Sequence, residues 1–218
     1  MKKAIPILFL ACLSLAGCAQ TSPANNRNNP EIPVGGPCEG CEAIYESPVP
    51  FDKLGPIDTI ENFNEPGPKL EISGTIFHRD GKTPAGDIVM YFYHTDQKGL
   101  YPKKGNEKGW AKRHGYLRGW VKTDKNGSYK FYTLLPASYP EGRNPKHIHA
   151  TIKEKGLGEY WIDDFLFEGD PFLEKSNRPP RGGNGVVAPV LKGGLLRATR
   201  NITLGLNVPG YPEGVVRK

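Results

Sequence analysis

Cysteine is scarce in this chain, four in 218 residues, and methionine scarcer still at two. So few thiols exclude a fold built from disulfides, and a chain of this length can instead bury a sizeable apolar core. No apolar run is long enough to span a bilayer: the opening one, Ala4 to Leu15, falls short of the roughly 20 residues a spanning helix needs. Sustained helical periodicity is also missing, which argues against a bundle. The 29 basic residues stand against 23 acidic ones, scattered and without a dense stripe interleaved with aromatics, so no nucleic-acid partner is expected.

What is present at the N-terminus is Lys2 and Lys3, the apolar run, then Leu15-Ala16-Gly17-Cys18, which reads as a signal peptide over residues 1–17. Its last four residues resemble the lipobox of bacterial lipoproteins, which implies cleavage before Cys18 and lipidation of that thiol. Ala19 after the cysteine points to the outer membrane. The expectation is a chain anchored by lipid in the bacterial cell envelope. Loss of Lys2 and Lys3 takes 29 basic residues to 27, and 27 against 23 gives a net charge of about +4. Cys12 leaves with the leader and Cys18 is taken by lipid, so the mature chain keeps only Cys38 and Cys41. Set among Gly35-Gly36-Pro37 and Glu39-Gly40 in an oxidising compartment, this Cys-x-x-Cys reads as a disulfide staple in a loop.

Residues 18–68 carry Asn25-Asn26-Arg27-Asn28-Asn29-Pro30 and repeated Pro and Gly, the composition of a tether and irregular arm. From 69 to 218 short β-branched and aromatic runs alternate with turn signals, which predicts an all-β sandwich of mainly antiparallel strands with long loops. The strands are expected at Leu70 to His78, Asp87 to Thr95, Tyr116 to Thr123, Ser128 to Leu134, His147 to Glu154, Asp163 to Phe167 and Leu196 to Leu204. Ile88, Met90 and Phe92 alternate with Val89, Tyr91 and Tyr93, so that strand is apolar on both faces and belongs in mid-sheet. The Gly- and Pro-rich excursion from Glu168 to Arg200 is read as a flap beside the site.

Lys146-His147-Ile148-His149 carries the chemistry. Histidines two apart on a strand project from one face, so both imidazoles can reach a single metal ion. No third histidine is near in sequence. Two tyrosines stand out instead, Tyr101 and Tyr139, the latter eight residues before His147. A phenol, with an ordinary pKa of about 10, becomes a ligand only where a strongly charged Lewis acid such as ferric iron displaces its proton.

At these residues the sequence resembles the intradiol ring-cleavage dioxygenases. Tyr93-His94-Thr95-Asp96-Gln97-Lys98-Gly99-Leu100-Tyr101 is similar to the family's strand and turn ending in its first tyrosine ligand. Tyr139-Pro140 and His147-Ile148-His149 are similar to its second tyrosine and two histidines, and Phe167-Glu168-Gly169-Asp170-Pro171 to a segment that follows. The resemblance implies Fe(III) held by Tyr101, Tyr139, His147 and His149, a catechol and O2 as substrates, and a muconate-type diacid as product. It further implies that Tyr139 leaves the metal and takes a substrate proton while Tyr101 stays bound.

Tyr93 and Asp164 are expected to line the substrate, Asp164 standing where relatives often carry a glutamine. The family's arginine three residues before the first histidine is replaced by Asn144, with Arg143 one earlier as the expected catalytic cation. The resemblance assigns no assembly. The other reading is a non-catalytic transthyretin-like surface module, suggested by the Gly81-Lys82-Thr83-Pro84 turn.

Overall fold

The computed structural model describes residues 31–174 and 176–213; the leader, Cys18 and the start of the tether lie outside them. The strands in chain order are β1 (Ile57–Thr59), β2 (Lys69–Phe77), β3 (Val89–His94), β4 (Arg118–Lys122), β5 (Ser128–Leu134), β6 (His147–Lys153), β7 (Tyr160–Phe167), β8 (Val186–Val187), β9 (Val190–Lys192), β10 (Leu195–Thr199) and β11 (Ile202–Thr203). One sheet runs β1-β5-β2-β10-β9, with β11 pairing β2 as well. The other runs β4-β3-β6-β7-β8. The only α-helix among the described residues is α1, one turn at Ala111–His114.

The strand alternation dictates this arrangement. In β5, Tyr129, Phe131 and Thr133 are buried while Ser128, Lys130 and Tyr132 are partly exposed, and Phe131 stacks on Phe92 of β3 at 4.0 Å across the two sheets. Met90, Phe92, Ile148, Ala150 and Ile152 join Leu70, Ile72 and Phe131 in the core between the sheets. The expected sandwich is therefore present, and β3 lies in mid-sheet between β4 and β6. The run expected from Leu196 to Leu204 divides into β10 and β11 beside β2: the Arg200 amide still donates to the Ser73 carbonyl at 3.0 Å, but the Arg200 carbonyl accepts from Tyr129 Oη at 2.7 Å and the Asn201 side chain accepts from the Thr75 amide at 3.0 Å. β8, β9 and β10 fall inside the excursion from Glu168 to Arg200, which is thus partly built into both sheets.

The opposite face of β3 and β6 bears Val89, Tyr91, Tyr93, His147 and His149. A second apolar cluster forms there from Val89, Tyr91 and Trp120 beneath Ala43 and Ile44 of the arm. The arm is clamped: Trp120 Nε1 donates to the Ile44 carbonyl at 2.8 Å, and Glu46 accepts from Arg118 at 2.7 Å. β1, also within the arm, pairs with β5. Residues 41–46 thus lie over the outer face of the second sheet and residues 57–59 add a strand to the first, neither of which the arm's irregular composition reveals.

Candidate metal centre

His147 and His149 stand at the start of β6, on the face away from the core, as their spacing requires. Their Nε2 atoms are 3.2 Å apart. Tyr101 Oη lies 2.9 Å from His149 Nε2, Tyr139 Oη lies 3.1 Å from His147 Nε2, and the two phenolic oxygens are 2.5 Å from one another. Four donor atoms from three segments of chain therefore meet around one point. Atoms bound at about 2.0–2.1 Å to a single ion lie roughly 2.9–3.5 Å from one another, a range that holds three of these separations, the two phenolic oxygens being closer at 2.5 Å.

Each donor is delivered by a traceable contact. Gly99 brings the two tyrosine loops together: its φ is +74°, and a Cβ there would sit 2.0 Å from the Ser138 carbonyl oxygen. Asp96 fixes the same turn by accepting from the Lys98 and Leu100 amides at 2.8 and 3.0 Å, and its carbonyl accepts from Ala137 N at 3.2 Å. Ahead of His147, Asp170 accepts from both the Lys146 amide and its ammonium, at 3.1 and 2.9 Å, which anchors the loop entering β6.

The far side of each imidazole is also engaged. His147 Nδ1 donates to the Pro145 carbonyl at 2.7 Å, and His149 Nδ1 donates to Asp164 at 3.0 Å. A carbonyl and a carboxylate can only accept, so both protons sit on Nδ1 and both Nε2 lone pairs face the phenols. Asp164 arrives there through a β-bulge. Ile148 pairs with Phe165 and Ala150 with Ile162, so Asp163 and Asp164 of β7 together oppose His149 alone.

Burial sets the electrostatics. It pushes the Tyr101 and Tyr139 phenols up, Tyr101 further by its hydrogen bond to Tyr139, so neither ionises near neutrality without a cation. Burial pushes His147 down, which keeps its lone pair free. Burial alone would raise Asp164, yet the charge and hydrogen bond of His149 hold it below the usual carboxylate range. His147, His149 and Asp164 form the metal-capable cluster of His, Cys, Asp and Glu side chains among the described residues.

Two cavities open beside the donors. One, of about 230 Å³, lies against Tyr93, Tyr101, Tyr139 and His149 and is closed by Arg113 and Glu39. The other, of about 350 Å³, lies on the Asp164 side beneath Cys38, Glu39 and Arg178. A larger cleft of about 880 Å³ between the arm, β1 and β4 touches none of the four donors.

A family profile described as Dioxygenase matches residues 53–177. This chain belongs to that dioxygenase family. Among curated relatives it is 26% identical over 134 residues to the protocatechuate 3,4-dioxygenase beta chain of Burkholderia cepacia, covering 56% of this chain and 57% of that one. It is 31% identical over 128 residues to catechol 1,2-dioxygenase 1 of Acinetobacter lwoffii, covering 51% and 40% respectively. The chain thus spans about half the length of the curated relatives it matches. Solved structures share the fold: the dioxygenase domain of a carbohydrate-binding fusion from Streptomyces sp. SirexAA-E superposes with a TM-score of 0.52 at 22% identity, over 72% of this chain and 94% of that one. Catechol 1,2-dioxygenase of Acinetobacter radioresistens gives 0.54 at 20% identity, over 75% and 60%.

One expectation is corrected. The expected outer-membrane anchor is not upheld: the curated relatives are catechol and protocatechuate dioxygenases, and no helix among the described residues is long and apolar enough to cross a membrane. The expectation rested on the lipobox resemblance of Leu15-Ala16-Gly17-Cys18 and on Ala19, a short local pattern whose residues lie outside the described ones.

Of the expected site residues, Tyr101, Tyr139, His147, His149, Tyr93 and Asp164 are brought together by the fold. Tyr93 stacks on His149 at 4.5 Å. Cys38 and Cys41 are bonded to each other. Arg143 is exposed in the loop before β6 and lines neither cavity beside the donors. The cations that do line them are Arg113 on α1 and Arg178 in the excursion after β7. Arg178 belongs to the excursion expected to lie beside the site; nothing in the sequence pointed to Arg113, and the flanking cysteines were the one local signal for Glu39.

Proposed function

We propose that this dioxygenase cleaves a catechol-type ring between its two hydroxylated carbons, using Fe(III) and both atoms of O2, to yield a muconate-type diacid. The observation that carries the reading is the convergence of two phenolic oxygens and two imidazole nitrogens, each imidazole locked with its lone pair towards the phenols. Two lone pairs 3.2 Å apart repel unless a cation lies between them, and two phenolate charges suit a trivalent hard ion that leaves one net charge for a dianionic substrate. Tyr101, Tyr139, His147 and His149 would hold that ion. Once bound, ferric iron would serve as Lewis acid and template, making the chelated catecholate reactive towards oxygen.

The residues of the chain then have separate tasks. Tyr139 would accept a catechol proton, its burial-raised basicity suiting it to hold that proton. Tyr101, also raised by burial, would serve as the lasting phenolate donor to the ion. Tyr93 presents a ring face beside His149 against which the aromatic substrate packs. Asp164 borders the larger cavity while holding His149, and its negative charge disfavours carboxylated catechols there.

A ferrous site of two histidines and one carboxylate is less well supported, because Asp164 binds the Nδ1 edge of His149, opposite the Nε2 atom that meets His147. Family membership likewise favours an enzyme over the transthyretin-like binding module. The deciding experiment is a visible spectrum of the iron-loaded protein before and after catechol, with products identified by mass. A tyrosinate-to-iron band that shifts with catechol, followed by a diacid two oxygen atoms heavier than the substrate, is expected. A colourless protein after ferric loading, or a ring opened outside the diol, would overturn the reading.

A further inference from the structure

We propose that the disulfide-closed loop of residues 37–41 is the specificity wall of this site, with Glu39 and Arg113 deciding which ring substituents enter. The inference rests on the catechol reading above and concerns what part of the substrate, beyond its two hydroxyls, the chain admits. Glu39 borders both cavities beside the donors, and Pro37, Cys38 and Gly40 border the larger one together with His149 and Asp164. A ring held through two oxygens at the donors has these cavities as the open space for its remaining positions.

The wall is fixed rather than mobile. The Cys38–Cys41 bond closes the loop, and Cys41 is 2% exposed, its sulfur accepting a hydrogen bond from Thr151 on β6 at 3.7 Å. Gly40, at φ +82°, lies so close to His114 that a Cβ would come within 2.8 Å of its Nε2. His114 in turn stacks on Tyr93 at 3.7 Å with planes 7° apart, and Tyr93 stacks on His149. One packed column therefore runs from the loop to a donor histidine.

Across the mouth of the smaller cavity, Glu39 forms an ion pair with Arg113 of α1. Their side chains are 72% and 63% exposed, so the pair acts as a polar bar that a bulky apolar substituent must part and an unsubstituted ring need not. The loop lies before residue 53, where the family match begins.

The test compares catechol with 4-tert-butylcatechol on the iron-loaded full chain, by kcat/KM and by anaerobic titration of the visible band. The unaltered chain is expected to favour catechol, and Glu39→Ala, Arg113→Ala and the Cys38→Ser/Cys41→Ser pair are expected to raise the bulky-to-small ratio at least fivefold in both measurements. A ratio that stays within twofold in Glu39→Ala and Arg113→Ala, with melting curves like the parent's, overturns the proposal even where the cysteine pair fails to fold. Failure of the unaltered chain to bind or turn over either catechol would instead overturn the functional reading, and the wall with it.

Discussion

Asp164 holds His149 from behind: its carboxylate accepts the Nδ1 proton at 3.0 Å, on the ring edge opposite the Nε2 atom that meets Tyr101. A bulge in β7 makes this contact possible by setting two residues against one. Orientation of a ligand by such a partner is what converts a histidine on a strand into a preorganised donor.

Asp164→Asn is accordingly expected to weaken iron binding by about 10- to 100-fold, since an amide can present its NH2 as readily as its oxygen and no longer fixes the tautomer. Competition with a chelator at neutral pH measures this. Affinity within threefold of the parent would show that packing on Tyr93 suffices to orient the ring.

Tyr101→Phe removes one of four donors and leaves the ring volume nearly unchanged. The expected outcome is loss of the visible band together with a melting temperature close to that of the metal-free parent. Retention of both colour and iron would remove Tyr101 from the ligand set.

Arg143→Ala is expected to change kcat/KM for catechol less than twofold, because the side chain is exposed and borders neither cavity. Steady-state kinetics decide it. A tenfold fall would mean that the loop before β6 closes over bound substrate.

Phe131→Ala deletes a fully buried ring that bridges the sheets through Phe92 and meets Phe165 edge-on at 5.7 Å. The cost is expected to be about 3–5 kcal/mol, read from urea unfolding. A smaller loss would indicate that the sheets close over the gap.

Acid should destabilise the metal-free protein through His94. Burial lowers this imidazole from 6.5 to about 4, while its Nδ1 donates to the Thr95 carbonyl and its Nε2 contacts Thr133. The folded pKa lies below the unfolded one, so the unfolded chain binds the proton first as pH falls. Stability is then complete above about 6.5 and declines until about pH 4, by roughly 3 kcal/mol. His114, also lowered to about 4 by burial, adds a loss over the same window. Urea midpoints at pH 7 and pH 4.5 for the parent and His94→Gln measure the effect, and an equal drop in both would exclude His94 as its source.

The sequence by itself determined the parts governed by local rules. Two-residue alternation placed the strands β2 to β7 within a few residues and turned His147 and His149 to one face, because a strand's geometry relates neighbours two apart whatever surrounds it. Apolar residues on both sides of β3 foretold its central position for the same reason. Family likeness supplied the two tyrosines.

Tertiary structure decided everything that depends on distant segments meeting. Tyr101 and Tyr139 are 38 positions apart and converge because Gly99 lets one loop touch the other. Asp164 reaches His149 through a bulge that no strand pattern records, since register is a property of the pair of strands rather than of either one. Glu39 meets Arg113 across 74 positions, carried there by an arm whose composition reads as irregular and whose apolar residues find their partners only on the finished sheet. Alternation fixes which way a side chain points, but the closure of long loops fixes what it meets.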